Sequence, residues 1–437
     1  MRHTSSLPTS SHRSARRAAP ALLLSFVLAS ATPAAASQPT VGADASVVTT
    51  WNQIAVSTLT QAAPNGAGLA PPVAFLYLAF VHTAMYNAVA GITREYELYE
   101  WDVLGPKSAW PEPAAAAAAH RVLRNYFGGI GTVGATLDAQ LAASLSQIPP
   151  SVPKQRGINY GVMAADHIIA LRANDGRNAP VTVPPATEPG DWVPTPPLML
   201  PFAAPWFGGI TPMVVDSTTQ FPPGPPPAIN SATYLAEFNE VRDYGIAGET
   251  SLRTAEQTLI ARFFAEIPLG PMQAGIRDHA TRHGLDIGAS ARLFAAVETS
   301  ITDALATVWY AKLQYMWWRP ITAIQNADTD GNPATASVPG WMPLIANPPY
   351  PEWPSGLCAV VGSVTTALTR VSGMVDLNLT GPTQGHRYYA DKATLDQQAI
   401  DARVWSGIHF RTADVVSIGI GTQVANFTLD HHFQPTD

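Results

Sequence analysis

The chain has 437 residues, enough for two or three average domains or one large helical one, and 46% of them are hydrophobic. Only 13% are charged, about half the usual share, and the formal net charge is -7. No basic face dominates, which argues against a nucleic-acid partner, so the cations that matter belong to a pocket rather than to a surface.

Residues 1–36 read as a secretory signal peptide. Arg2, Arg13, Arg16 and Arg17 make a positive start, Ala18 to Ala31 an apolar stretch, and Ala34-Ala35-Ala36 a small-residue cleavage site. Arg16-Arg17 is followed by Ala18-Ala19 instead of a bulky apolar residue, which favours ordinary Sec export over a twin-arginine route. The protein is therefore expected to be secreted. No later apolar run reaches the ~20 residues of a membrane span. Phe75 to Ile92 comes nearest, but His82, Thr83 and Asn87 interrupt it and suit a buried helix better. The one cysteine, Cys358, excludes an intramolecular disulfide and reads as a small buried hydrophobe.

Helical spacing of apolar residues runs through Ala74 to Ile92, where Phe75, Leu78, Phe80, Val81, Met85 and Val89 form one broad stripe. It recurs over Ala114–Tyr126, Ile158–Arg172, Ser251–Ala265, Ala289–Tyr315 and Leu357–Val371. Sustained period-2 alternation is scarce. The expected fold is all-α, two packed helical bundles, with an N-terminal half over 37–177 and a C-terminal half over 231–437. Between them, 178–230 is too dense in proline for helices or central strands. Its interleaved Trp192, Trp206 and Gly208-Gly209 predict an ordered crossover loop laid over the bundle surface.

The C-terminal half holds a scattered cationic constellation. Lys312 and Arg319 are two helical turns apart and would share a helix face within ~20°, with Pro320 ending that helix. Tyr315, Met316, Trp317 and Trp318 lie between them and predict burial, and buried cations require counter-charge. Ser355 reads as the N-cap of the helix beginning near Leu357. A helix N-terminus offers free N–H groups to an anion, so Ser355 Oγ and the Gly356 N–H are candidate oxyanion donors. Arg403 and His409 are ~240° apart on an ideal helix and converge only if it breaks, for which Ser406-Gly407 is the place.

Together these residues resemble the vanadium-dependent haloperoxidase and type-2 phosphatidic acid phosphatase superfamily, in its bacterial haloperoxidase-like branch. The signature Lys-x6-Arg-Pro, Pro-Ser-Gly-His and Ser-Arg-x5-His is present in order, save that Leu357 stands for the second-motif histidine and Ala402 for the serine. Phe80-Val-His-Thr-Ala-Met-Tyr-Asn, Trp317-Trp-Arg-Pro-Ile-Thr-Ala-Ile and Gly407-Ile-His-Phe-Arg-Thr-Ala-Asp extend the likeness over roughly residues 45 to 430. The resemblance implies vanadate, or phosphate as an alternative occupant, bonded to His409 as metal ligand. Lys312, Arg319 and Arg403 would then neutralise its oxygens, and Ser355 and Gly356 would complete the cradle. It further implies hydrogen peroxide, a halide and an organic substrate for a haloperoxidase, or a phosphate ester for a phosphatase.

Leu357 cannot donate, accept or order water, and a general acid or base typically contributes ~10²–10⁴-fold. The expected function is thus a secreted haloperoxidase-like oxidoreductase of reduced or altered activity. The alternatives are an acid-phosphatase-type phosphomonoesterase and a non-catalytic oxyanion-binding protein. His386, between the second and third motifs, is the candidate substitute for the lost acid/base. His279 and His283 have an i,i+4 spacing able to bind zinc but lack an adjacent Glu, and read as a solvated helix face. Asp414, five residues after His409, is one residue beyond the position of the family's aspartate.

Overall fold

The computed structural model describes residues 43–61 and 69–436; the expected export signal lies outside them. Among the described residues there are thirteen α-helices and one two-stranded antiparallel hairpin, so the fold is all-α. Helices α1 (Ser46–Gln61), α2 (Pro71–Thr93), α3 (Pro111–Phe127), α4 (Val133–Ser146) and α5 (Val152–Leu171) form the first group, with α2, α3 and α5 packed mutually. After the proline-rich crossover come α6 (Ala232–Gly245), α7 (Ala255–Glu266), α8 (Gly270–Arg282) and the long α9 (Ile287–Tyr315). The chain continues through α10 (Pro320–Gln325), α11 (Gly356–Ser372), the hairpin β1 (Leu377–Gly381) and β2 (Gly385–Tyr389), α12 (Lys392–Trp405) and α13 (Arg411–His431). Helices α9, α11 and α13 pack mutually, and α9 also lies along α2, so one helix serves both groups.

Local chemistry sets many of the helix ends. Pro71-Pro72 opens α2 where a missing N–H costs nothing, and Arg94 closes it in the left-handed region at φ 62°. Thr254 and Gln257 form a reciprocal capping box on α7, and Asp286 Oδ1 accepts the Ala289 N–H at 2.7 Å to start α9. Helix α2 is the one described helix long and apolar enough to cross a membrane, yet 89% of its apolar window is buried inside the molecule. His82, Thr83 and Asn87 are wholly buried there, as expected for a core helix.

The crossover is tied to the core by a carboxylate. Asp303, buried on α9, accepts the N–H groups of Met213, Val214 and Val215 at 2.7, 2.7 and 3.0 Å. Burial raises Asp303 to about 6, and the three backbone bonds pull it back. Tyr99 Oη donates to the Met213 carbonyl and Trp309 Nε1 to that of Ala203, fixing two further points of the loop.

Candidate active site

Three stretches of backbone bring the cationic residues together. Lys312 is on the last turn of α9, which stops at Tyr315 because Met316 turns left-handed at φ 43°. Residues 317–319 then run extended beside the crossover, the Trp318 N–H donating to the Gly190 carbonyl at 2.8 Å and the Glu352 N–H to that of Trp317 at 2.9 Å. The single helix expected to carry both Lys312 and Arg319 is thus corrected. Arg319 precedes Pro320 and takes the extended backbone that a following proline enforces, and Pro320 opens α10 instead of closing α9. Both residues are nonetheless wholly buried at one site.

The second stretch, Tyr350 to Ser355, crosses a cis Trp353–Pro354 bond and enters α11. Lys312 Nζ donates to the carbonyls of Pro351, Glu352 and Pro354 at 2.6, 3.0 and 2.5 Å. An ammonium has three donors, so Lys312 holds this turn with all of them and acts on the site through its charge. Burial lowers it well below the usual lysine value, with the neighbouring Arg319 adding to the effect. Ser355 is the N-cap of α11 as predicted, but its hydroxyl makes no capping bond.

The third motif bends as its spacing requires. Helix α12 ends at Trp405, Gly407 takes φ 78°, and α13 begins at Arg411. A Cβ at position 407 would lie 2.5 Å from the Gly245 carbonyl oxygen, so this turn admits only glycine. The bend delivers His409, buried, against Arg319 and Glu352. Its Nε2 is 3.2 Å from Arg319 Nη1, and its Nδ1 is 2.9 Å from Glu352 Oε1. A guanidinium can only donate, so Nε2 is the acceptor and Nδ1 carries the proton that Glu352 receives. Burial, then the charges of Arg319, Arg403 and Lys312, lowers His409 well below the usual imidazole value, leaving the ring neutral with its Nε2 lone pair toward the cations. Glu352 Oε1 also accepts the Phe410 N–H at 2.9 Å, and burial raises this carboxyl to about 8 against the pull of Arg319 and Lys312.

Three donors around His409 remain without a partner: Arg319 Nη2, Arg403 Nε and Ser355 Oγ, all buried. Unpaired buried donors are costly, and one small acceptor-rich anion between these side chains would satisfy them. The residues fit a tetrahedral oxyanion.

Comparison with known proteins agrees with this geometry. Residues 292–437 match the family model of the VCPO second helical-bundle domain. The vanadium chloroperoxidase of Curvularia inaequalis is 33% identical over 90 residues, a match that covers 18% of this chain and 14% of that protein's length. Over its C-terminal third the chain is similar to the second helical bundle of vanadium chloroperoxidase. The whole fold is similar to that of a bacterial vanadium-dependent iodoperoxidase, with a TM-score of 0.75 at 24% identity over 92% of this chain and 99% of the other. A holo-type bacterial vanadium-dependent chloroperoxidase gives 0.67 at 16% identity over 89% and 97%.

Within this haloperoxidase-like fold an apolar cavity of about 360 Å³ opens on the cradle, lined by Phe264, Leu305, Trp309, Tyr350, Leu357 and Arg403 among others. Leu357 sits in its wall and is 8% exposed. Neither a histidine nor a carboxylate is among the lining residues. His386 is not brought to the site: it stands exposed on β2, with Nε2 3.1 Å from Asn378 Oδ1 across the hairpin. Asp414 is buried next to the cradle, where Cys358 Sγ donates to its Oδ1 at 3.4 Å. Burial raises Asp414 to about 7, with Ser355 and Arg403 opposing. It does not orient His409. Glu352 does, a residue the motif spacing did not single out. The available signal was a lone acid in Pro351-Glu352-Trp353-Pro354, an apolar turn otherwise destined for burial.

Proposed function

We propose that the protein is a secreted, vanadate-binding haloperoxidase-like oxidoreductase whose turnover is limited by Leu357. The observation that carries this reading is the set of orphaned donors, Arg319 Nη2, Arg403 Nε and Ser355 Oγ, gathered around the Nε2 lone pair of His409. Arg319, Arg403, Ser355 and the α11 N-terminus would hold the oxygens of vanadate, His409 Nε2 would ligate the metal, and Lys312 would add charge from the second layer. Bound vanadate would activate hydrogen peroxide for two-electron oxidation of a halide. Glu352 keeps His409 in the Nδ1–H tautomer, so no proton needs to leave Nε2 before ligation. The apolar cavity would admit an apolar organic substrate or the oxidised halogen.

With no histidine or carboxylate lining that cavity, proton delivery falls to water. Purified protein with orthovanadate, peroxide and iodide or bromide should show slow, vanadate-dependent halide oxidation. Leu357→His should raise it at least ~10-fold, within the usual range of a general acid or base. Absence of vanadate-dependent turnover in both proteins would overturn the oxidoreductase reading.

The missing side chain also favours a second reading, an oxyanion-binding protein without turnover. Vanadate or phosphate would then stabilise the wild type against heat, with Leu357→His remaining inert. The phosphomonoesterase alternative is tested with an aryl phosphate whose leaving group needs no protonation.

A further inference from the structure

A second cluster of ligating side chains lies away from the cradle, where α8 meets the base of the hairpin. His279 is on α8, His283 caps its C-terminus, and Asp376 is the residue before β1. One donor atom from each lies within 4.8 Å of the others. His279, read from its i,i+4 spacing as part of a solvated face, is wholly buried, because the hairpin covers that side of α8.

The hydrogen bonds leave this cluster with an unsatisfied imidazole acceptor. His279 Nδ1 is 3.1 Å from the Asp376 carbonyl, which can only accept, so Nδ1 carries the proton and Nε2 is a bare lone pair. That Nε2 is buried without a partner, whereas the Asp376 carboxylate has the Tyr388 hydroxyl of β2 beside it as a donor. Asp376 Oδ2 is taken by His283 Nε2 at 2.6 Å and Arg282 Nη1 at 2.6 Å. Arg282 Nη2 also donates to the Asp376 carbonyl at 2.8 Å, and its Nε to Asp278 Oδ2 at 2.7 Å, so its charge is shared between two carboxylates. A buried imidazole lone pair beside a carboxylate, with no donor facing it, is satisfied by a cation. A backbone carbonyl fixing one imidazole nitrogen is also the outer contact that metal-bound histidines characteristically have.

We propose that His279, His283 and Asp376 bind one zinc-class divalent ion that clamps the β1–β2 hairpin onto α8. Two imidazoles and one carboxylate suit a borderline transition ion and not calcium or magnesium, which prefer all-oxygen sets. Ligand distances of about 2 Å require the donors to close by roughly 1–1.5 Å, a movement open to the part-exposed His283 ring. The ion would take Asp376 Oδ1 and leave Arg282 on Oδ2.

The test is competition with a chromophoric chelator on the chelator-stripped full chain, using zinc alone, with cobalt as spectroscopic probe. Wild type should hold one more equivalent than His283→Ala or Asp376→Asn, or bind that equivalent more than ~10-fold tighter. The count is compared with His431→Ala/His432→Ala, at the adjacent histidines that end α13, which should match wild type. Hydrogen exchange should slow over residues 377–389 when zinc is added. Equal uptake by wild type, His283→Ala and Asp376→Asn, or no uptake by any, would refute the site. Uptake without protection of the hairpin would refute the clamp. His283→Ala alters a part-exposed ring, so its fold is checked by an unchanged melting temperature in chelator.

Discussion

Two buried polar clusters in the same helical scaffold differ in how fully the chain satisfies them. At Asp303 one carboxylate meets three backbone N–H groups, and both of its oxygens are engaged within the chain. Around His409, three donors of Arg319, Arg403 and Ser355 are left without a partner, and so are two acceptors, Glu352 Oε2 and Asp414 Oδ2. The first cluster is complete and holds the crossover to α9. The second is left open, and the proposed anion would complete its donors. Burial and charge alone do not distinguish a binding site from a structural pin; the groups left without partners do.

Breaking the complete cluster should cost the most. Asp303→Ala leaves three buried N–H groups unpaired at ~1–3 kcal/mol each, so chemical denaturation should show a loss of at least ~3 kcal/mol. Vanadate affinity of the folded fraction should stay within a few-fold of wild type, because Asp303 faces the crossover. A large loss of affinity at this position would erase the contrast between the clusters.

The incomplete cluster can be sharpened at Glu352. Glu352→Leu removes the acceptor that fixes His409 and should weaken vanadate binding by ~10–100-fold. Glu352→Gln retains a carbonyl oxygen for Nδ1–H and should bind much as wild type does. Titration calorimetry separates the two, and equal losses in both variants would remove Glu352 from the positioning role.

A smaller effect concerns pH. Glu298 is buried on α9, accepts from Gln273 Nε2 at 2.6 Å, and is raised by burial to about 8 from the ordinary 4.5. The folded state therefore binds this proton more tightly than the unfolded state. The stability that Glu298 contributes is fully present below about 4.5 and is lost as pH rises toward 8. Glu298→Gln should match wild type near pH 4.5 and gain on it progressively up to pH 8, by at most a few kcal/mol. A difference that is flat with pH would contradict the assignment.

Much of the site was legible in the sequence because its chemistry is carried by residue types at fixed spacing. Lys312, Arg319, Ser355, Arg403 and His409 meet as their motifs require, and the break at Ser406-Gly407 was needed to bring the last two together. The path between the first two was not legible. Periodicity runs straight through Tyr315 to Trp318, and only the tertiary pairing of 317–319 with the crossover shows why the helix stops early. Glu352 escaped notice because its partner is 57 residues away and no local pattern marks the pair. The burial of His279 escaped for a similar reason: a short hairpin, with weak alternation of its own, covers the face that spacing had assigned to solvent.

Titration of orthovanadate into the purified wild type and Arg403→Ala, followed calorimetrically, tests the cradle most directly. One equivalent should bind the wild type, and the loss of one partner of a buried charged contact should weaken it at least ~100-fold in the variant. Failure of the wild type to take up vanadate, or equal uptake by Arg403→Ala, would contradict an oxyanion site at His409.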